Sequence, residues 1–194
     1  DQTGSSWVLQ AQAMDRTVFG ITWMASQIQA FNSILLLGLI PMFYYLIYPA
    51  LNNKITDLHK IGAGLILSAL SFVIIAIAQN MLDAGLSVSI TWQLAAYFFL
   101  TVGEVMISIT ALELAYTQAP NVLKSMVMCL YLTSVSVGNF FTAGINALMM
   151  NPSIAGLLQG ANYFYFFASV VALVSAVYFW YQKKLSLQLI LQDS

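Results

Sequence analysis

The chain has 194 residues, of which 60% are hydrophobic and only 7% charged, against roughly 25% charged in an ordinary soluble domain. Six Lys or Arg and seven Asp or Glu cannot cover a water-facing surface, so the fold must present apolar residues to a bilayer. A net charge of -1 excludes a basic nucleic-acid binder, and a single cysteine with a single histidine excludes an intrachain disulfide and the familiar zinc or iron–sulfur ligand sets.

The first segment, residues 1–14, reads DQTGSSWVLQAQAM. It is too short to span a bilayer and reads as the second half of a helix whose first half is missing from this sequence. Five stretches then reach the roughly 20 mostly apolar residues that a spanning helix needs: 28–51, 61–78, 92–116, 124–150 and 161–181. Turn or charge signals separate them, among them Asn52-Asn53-Lys54, Gln118-Ala119-Pro120-Asn121 and Asn151-Pro152-Ser153. Pro41, inside the second segment, is expected to kink it. The expected architecture is an all-α membrane bundle of six helices over residues 1–182, the first of them truncated, with 183–194 as a tail.

Orientation follows from the basic residues, which are enriched in cytoplasmic loops. Lys54, Lys60, Lys124, Lys183 and Lys184 fall at one end of the five spans, and Arg16 alone at the other. That distribution predicts a multi-pass protein of the cytoplasmic membrane with its carboxyl terminus in the cytoplasm.

Charge inside a span is costly, about 2.5 to 3.5 kcal/mol on insertion scales, and is functional by default. Glu104 sits near the middle of the 92–116 span. Tyr97, Thr101, Glu104 and Ser108 follow i, i+4, i+7, i+11 and form one polar stripe, which lines either a wet cavity or a polar contact between helices. An intramembrane carboxyl that gains and loses a proton suits proton coupling; ionised, it can hold an ammonium group. Asn32, early in an otherwise apolar span, is the second candidate, and its bland reading is a hydrogen bond between helices. Two polar faces can be drawn on the 124–150 helix: Tyr131, Ser134, Gly138 and Thr142 on one, and Ser125, Cys129, Ser136, Asn139 and Asn146 on the other. Gly64, Ser68 and Ser71 read as packing residues. No nucleophile and base, and no metal-ligand spacing, mark an enzyme or call for a cofactor.

The stretch Gly103-Glu104-Val105-Met106-Ile107-Ser108 through Gln118-Ala119-Pro120, followed by Lys124-Ser125 and Ser136-Val137-Gly138-Asn139, closely resembles the tenth and eleventh helices of the proton-dependent oligopeptide transporters, within the major facilitator superfamily. Asp1-Gln2-Thr3-Gly4-Ser5-Ser6-Trp7 is similar to the second half of that family's seventh helix, and Gln27-Ile28-Gln29-Ala30-Phe31-Asn32 to the start of its eighth. The resemblance covers essentially the whole chain. It implies the carboxyl-terminal half, helices seven to twelve, of a twelve-helix transporter that moves di- and tripeptides with protons. It also implies a partner amino-terminal six-helix half carrying the first-helix acid-and-arginine motif and a fourth-helix lysine, neither of which is in this chain.

Carried over by position, Glu104 would face the peptide's amino end and Asn32 would share that task. Asp1 matches the seventh-helix acid implicated in proton coupling, in which Glu104 also takes part. Tyr131 stands where the family commonly has Trp, which keeps an aromatic wall but alters the space for side chains, and Ser134 follows it on the same face. Two other expectations stand beside this one: a family transporter of another small ion such as nitrate, and a membrane module that does not transport.

Overall fold

The computed structural model describes residues 6–18, 20–51, 56–118, 121–149, 156 and 158–192; Asp1 lies outside them. Five of its helices are long and apolar enough to cross a membrane. A short helix, α1 (Ser6–Ala13), leads into a two-residue hairpin, β1 (Thr17–Val18) against β2 (Ile21–Thr22), which turns through Gly20 at φ 76. A left-handed φ of this kind is open to glycine without steric penalty. The hairpin is the one departure from helix among the described elements. It is held beside the bundle by Asp15, whose N–H donates to the Val88 carbonyl at 2.9 Å while its own carbonyl accepts from Ile90 N–H at 2.9 Å.

The first full span runs from α2 (Ala25–Met42) through a π-helical turn (Phe43–Ile47) into α3 (Tyr48–Leu51). Pro41 does not end the helix. Its missing N–H leaves the preceding turn one donor short, and the ladder then widens so that Tyr48 N–H bonds to the Phe43 carbonyl, five residues back. The expected distortion therefore takes the form of an inserted residue just past the proline. The turn directs Tyr48 inward, where its hydroxyl meets Thr110 Oγ1 at 3.2 Å and its ring lies 4.8 Å from Lys60 Nζ.

Helices α4 (Asp57–Asp83) and α5 (Thr91–Gln118) form the central pair. Their backbones nearly touch: a Cβ on Gly64 would stand 2.8 Å from the Gly103 carbonyl oxygen, and a Cβ on Gly103 would stand 2.5 Å from Ser68 Oγ. Small side chains make such an approach possible where lipid supplies no hydrophobic drive for helix association. A 3-10 turn (Asn121–Leu123) precedes α6 (Lys124–Leu148), and α7 (Ala161–Gln192) packs along the other side of α4.

Both α4 and α7 outrun the apolar stretches that predict them. On α4 the extra turns are polar residues that find partners: Lys60, 6% exposed, pairs with Asp57 at 2.8 Å, and Gln79 donates to Asp83 Oδ1 at 2.8 Å. Beyond residue 181, α7 continues as helix to Gln192, through the segment expected as a tail.

The main core lies where α1, α4, α5 and α7 meet. Trp7 is fully buried, 4.7 Å from the Tyr97 ring and 6.0 Å from Phe72, which in turn stacks on Phe167 at 6.1 Å. Polar anchors hold α1 to the same place: Gln93 Nε2 donates to the Trp7 carbonyl at 2.6 Å, and Gln10 Nε2 to the Ile75 carbonyl and to Gln79 Oε1, each at 3.1 Å. The relay ends at Asp83, whose Oδ2 accepts Ala161 N–H at 3.2 Å, a carboxylate at the electropositive start of α7. Helix α6 stands apart. None of its described side chains is buried, and Phe140 is 83% exposed.

Candidate functional site

The polar stripe of α5 divides between packing and cavity. Tyr97 and Thr101 are buried, the first against Trp7 of α1 and the second against Asn32 of α2. One turn further, Glu104 borders a cavity of about 530 Å³ between α4, α5, α6 and α7, while Ser108 is exposed. Both readings of the stripe hold, each for part of its length.

Glu104 shares its cavity with Ser68 and Phe72 of α4, Asn139 and Thr142 of α6 and Phe167 of α7. Among the described residues lining it, none is basic. A carboxylate in these surroundings has hydroxyl and amide neighbours, and the described lining supplies it no cation. Gly103 sets its position. The close contact of that glycine with Gly64 and Ser68 seats α5 on α4 and fixes the helix turn from which Glu104 projects.

Asn32 does not border the Glu104 cavity. Its Oδ1 accepts a hydrogen bond from Thr101 Oγ1, which is also placed to donate to the Tyr97 carbonyl at 2.7 Å. The interhelical bond expected as the bland reading is thus present. It leaves the second lone pair of the amide oxygen able to accept another donor. Thr101 and Glu104 are three residues apart on α5, about 4.5 Å along the axis, so Asn32 is tied to the turn that precedes the carboxylate.

Tyr131 is half-buried and Ser134 exposed, with the Ser134 hydroxyl donating to the Tyr131 carbonyl at 2.7 Å. Neither borders the Glu104 cavity; the α6 residues that do include Val135, Asn139 and Thr142. The two polar faces drawn from the sequence are therefore redistributed. Tyr131, Val135, Asn139, Thr142 and Asn146 step by three and four and fall on one side of α6. Asn146, at the end of that row, accepts the Tyr163 hydroxyl of α7 at 2.6 Å. Asn139 and Thr142 are three apart and so are neighbours on a helix, a spacing that was available in the sequence to group them.

Comparison with known proteins follows the same lines. Residues 1–166 match the family model described as PTR2: POT family. Peptide transporter PTR2 of Saccharomyces cerevisiae is 26% identical over 191 residues, which is 91% of this chain and 30% of that protein. Solute carrier family 15 member 2 of Oryctolagus cuniculus is 32% identical over 131 residues, 61% of this chain and 17% of that protein. Among solved structures, the in meso crystal structure of the POT family transporter PepTSo superimposes with a TM-score of 0.83 at 34% identity, covering 97% of this chain and 38% of that one. An auto-inhibited POT family peptide transporter gives 0.82 at 31% identity, covering 94% of this chain and 37% of that one. The chain thus spans well under half the length of the relatives it matches, and those relatives are transporters, not enzymes. With the family model matched over most of its length and its six described helical segments superimposing on these structures, the chain belongs to the POT family, as part of a multi-pass membrane protein.

Proposed function

We propose that the full-length protein carries di- and tripeptides across the cytoplasmic membrane in symport with protons, with this chain as its carboxyl-terminal six-helix half. The observation that carries the reading is Glu104: a carboxylate at mid-span, in a cavity whose described lining is without a basic residue. A peptide's ammonium supplies the complementary charge, and a proton can replace it when the peptide leaves. The peptide ends are constant while side chains vary, so a site that holds the ends accepts many sequences. Glu104 and Asn32 take the amino end, Tyr131 and Ser134 form a neighbouring wall, and Asp1 shares proton coupling with Glu104. Basic residues for the peptide's carboxylate belong to the amino-terminal half. The exposed apolar side chains of α2 and α6, Leu37 at 77% and Phe140 at 83% among them, give that half and the lipid a surface to cover. The lysine-rich end of the spans is the cytoplasmic one.

Uptake of labelled dialanine by the reconstituted full-length protein tests this directly. An inward proton gradient should drive accumulation, a protonophore should abolish it, and unlabelled di- and tripeptides should compete. Nitrate-driven displacement of the label, or nitrate uptake in its place, would overturn the peptide reading; absence of any solute uptake would overturn transport. Thr101→Val keeps side-chain shape and removes the hydroxyl that holds Asn32. One hydrogen bond is worth about 0.5 to 1.5 kcal/mol, so KM for dialanine should rise roughly two- to tenfold with the maximal rate little changed.

A further inference from the structure

The Glu104 cavity has a neighbour of about 560 Å³ at the end of the bundle away from the lysines. The two lie end to end along the same helices. On α6, Asn146 borders the second cavity and Thr142, one turn back, borders the first; on α7, Phe164 and Phe167 divide in the same way, and on α4 Gln79 and Phe72 do so two turns apart. Leu9, Ala13 and Gly160, which also border the second cavity, are exposed, so it communicates with the surface of the chain.

Its walls are built to hold water. Ser6 and Gln10, four residues apart on α1, face it together. Gln10 is 4% exposed, and while its Nε2 is committed to Ile75 and Gln79, its Oε1 has no partner among the described residues. Asn146 accepts the Tyr163 hydroxyl at 2.6 Å, and its amide carries two N–H donors besides. Water occupies a buried space that is roomy and offers several polar partners, and both cavities meet that condition.

The pair Asn146 and Tyr163 stands where the cavities meet. The Tyr163 ring lies 5.1 Å from Phe167, on the far side of the junction, and Asn146 is about 6 Å along the helix axis from Thr142. Polar groups thus continue from the second cavity through Asn146 and Thr142 to the space that Glu104 borders. Chains of polar groups inside spans mark ion and proton pathways.

We propose that the second cavity is the entry by which protons reach Glu104 from the side away from the lysines, with Asn146 and the Tyr163 hydroxyl forming the hydrogen-bonded link between the two spaces. The inference rests on the reading of Glu104 as a proton-coupling carboxylate and adds the route to it.

Full-length protein in proteoliposomes tests the route. Labelled dialanine uptake is measured under an inward proton gradient, and again as exchange against internal dialanine at equal pH, which needs no net proton transfer. Asn146→Leu removes the hydrogen-bonding groups at the junction, and Ala13→Phe fills the second cavity from its rim. Each should slow gradient-driven uptake roughly tenfold and leave exchange within about twofold of wild type. Asn146→Ser keeps a hydroxyl and adds room for water, and it should retain driven uptake. Driven uptake at the wild-type rate in both Asn146→Leu and Ala13→Phe, or equal loss of driven uptake and exchange in both, would overturn the route. Wild-type protein that exchanges dialanine without responding to the gradient would overturn the coupling role of Glu104 itself, so the two failures are told apart.

Discussion

Changing Glu104 to Gln is expected to reduce proton-driven dialanine uptake by the full-length protein at least thirtyfold. Gln keeps the size of the side chain and one of its acceptor oxygens but cannot carry the charge that faces an ammonium. Truncating one partner of a desolvated, hydrogen-bonded charge pair costs about 2 to 5 kcal/mol, and the lower bound alone corresponds to about thirtyfold. Initial rates in proteoliposomes under an inward proton gradient give the number, and equilibrium binding of dialanine separates lost affinity from lost coupling. A wild-type rate would remove Glu104 from both roles, since its cavity offers no other carboxylate among the described lining residues.

The second large effect is structural. Gly103→Leu should lower the thermal midpoint of the full-length protein in detergent by several degrees and reduce uptake with it. A Cβ at this position would meet Ser68 Oγ at 2.5 Å and the Gly64 carbonyl oxygen at 2.7 Å. The serine hydroxyl can turn aside, but the carbonyl belongs to the α4 backbone and cannot. Overpacking of this kind costs about 1 to 3 kcal/mol, and relief requires α5 to back away from α4. Gly138→Ala on α6 is the comparison, because a Cβ there meets nothing of this chain within 4 Å. If both variants lost stability equally, backbone contact at Gly103 would not be the cause.

The bundle was legible because a bilayer imposes one length on every span, and five apolar stretches meet it. Span ends were less so. Hydropathy stops at polar residues, whereas α4 continues through Lys60, Gln79 and Asp83 because each has a partner supplied by the fold: Asp57, Gln10 and the start of α7. Pro41 signalled a disturbance, yet the choice between a bend and a π turn depends on what Tyr48 gains by turning inward. At the site, Glu104 stood out as a charge at mid-span, while its stripe left a cavity and a polar contact between helices both open. Asn139 and Thr142 could not be assigned to it, since ordinary polar residues on α6 say nothing about which neighbouring helix they will meet. Tyr131, carried over by resemblance, and Ser134, read from the polar face it shares with Tyr131, do not border this cavity.

The unequal grip on the cavity's walls has a mechanical consequence. The carboxylate rides on the α4–α5 pair, where backbone meets backbone at Gly64 and Gly103, while the amide and hydroxyl opposite ride on α6, which buries no described side chain in this chain. The carboxylate thus takes its place from contacts within this chain, whereas the neutral wall opposite it takes its packing from whatever covers the exposed face of α6.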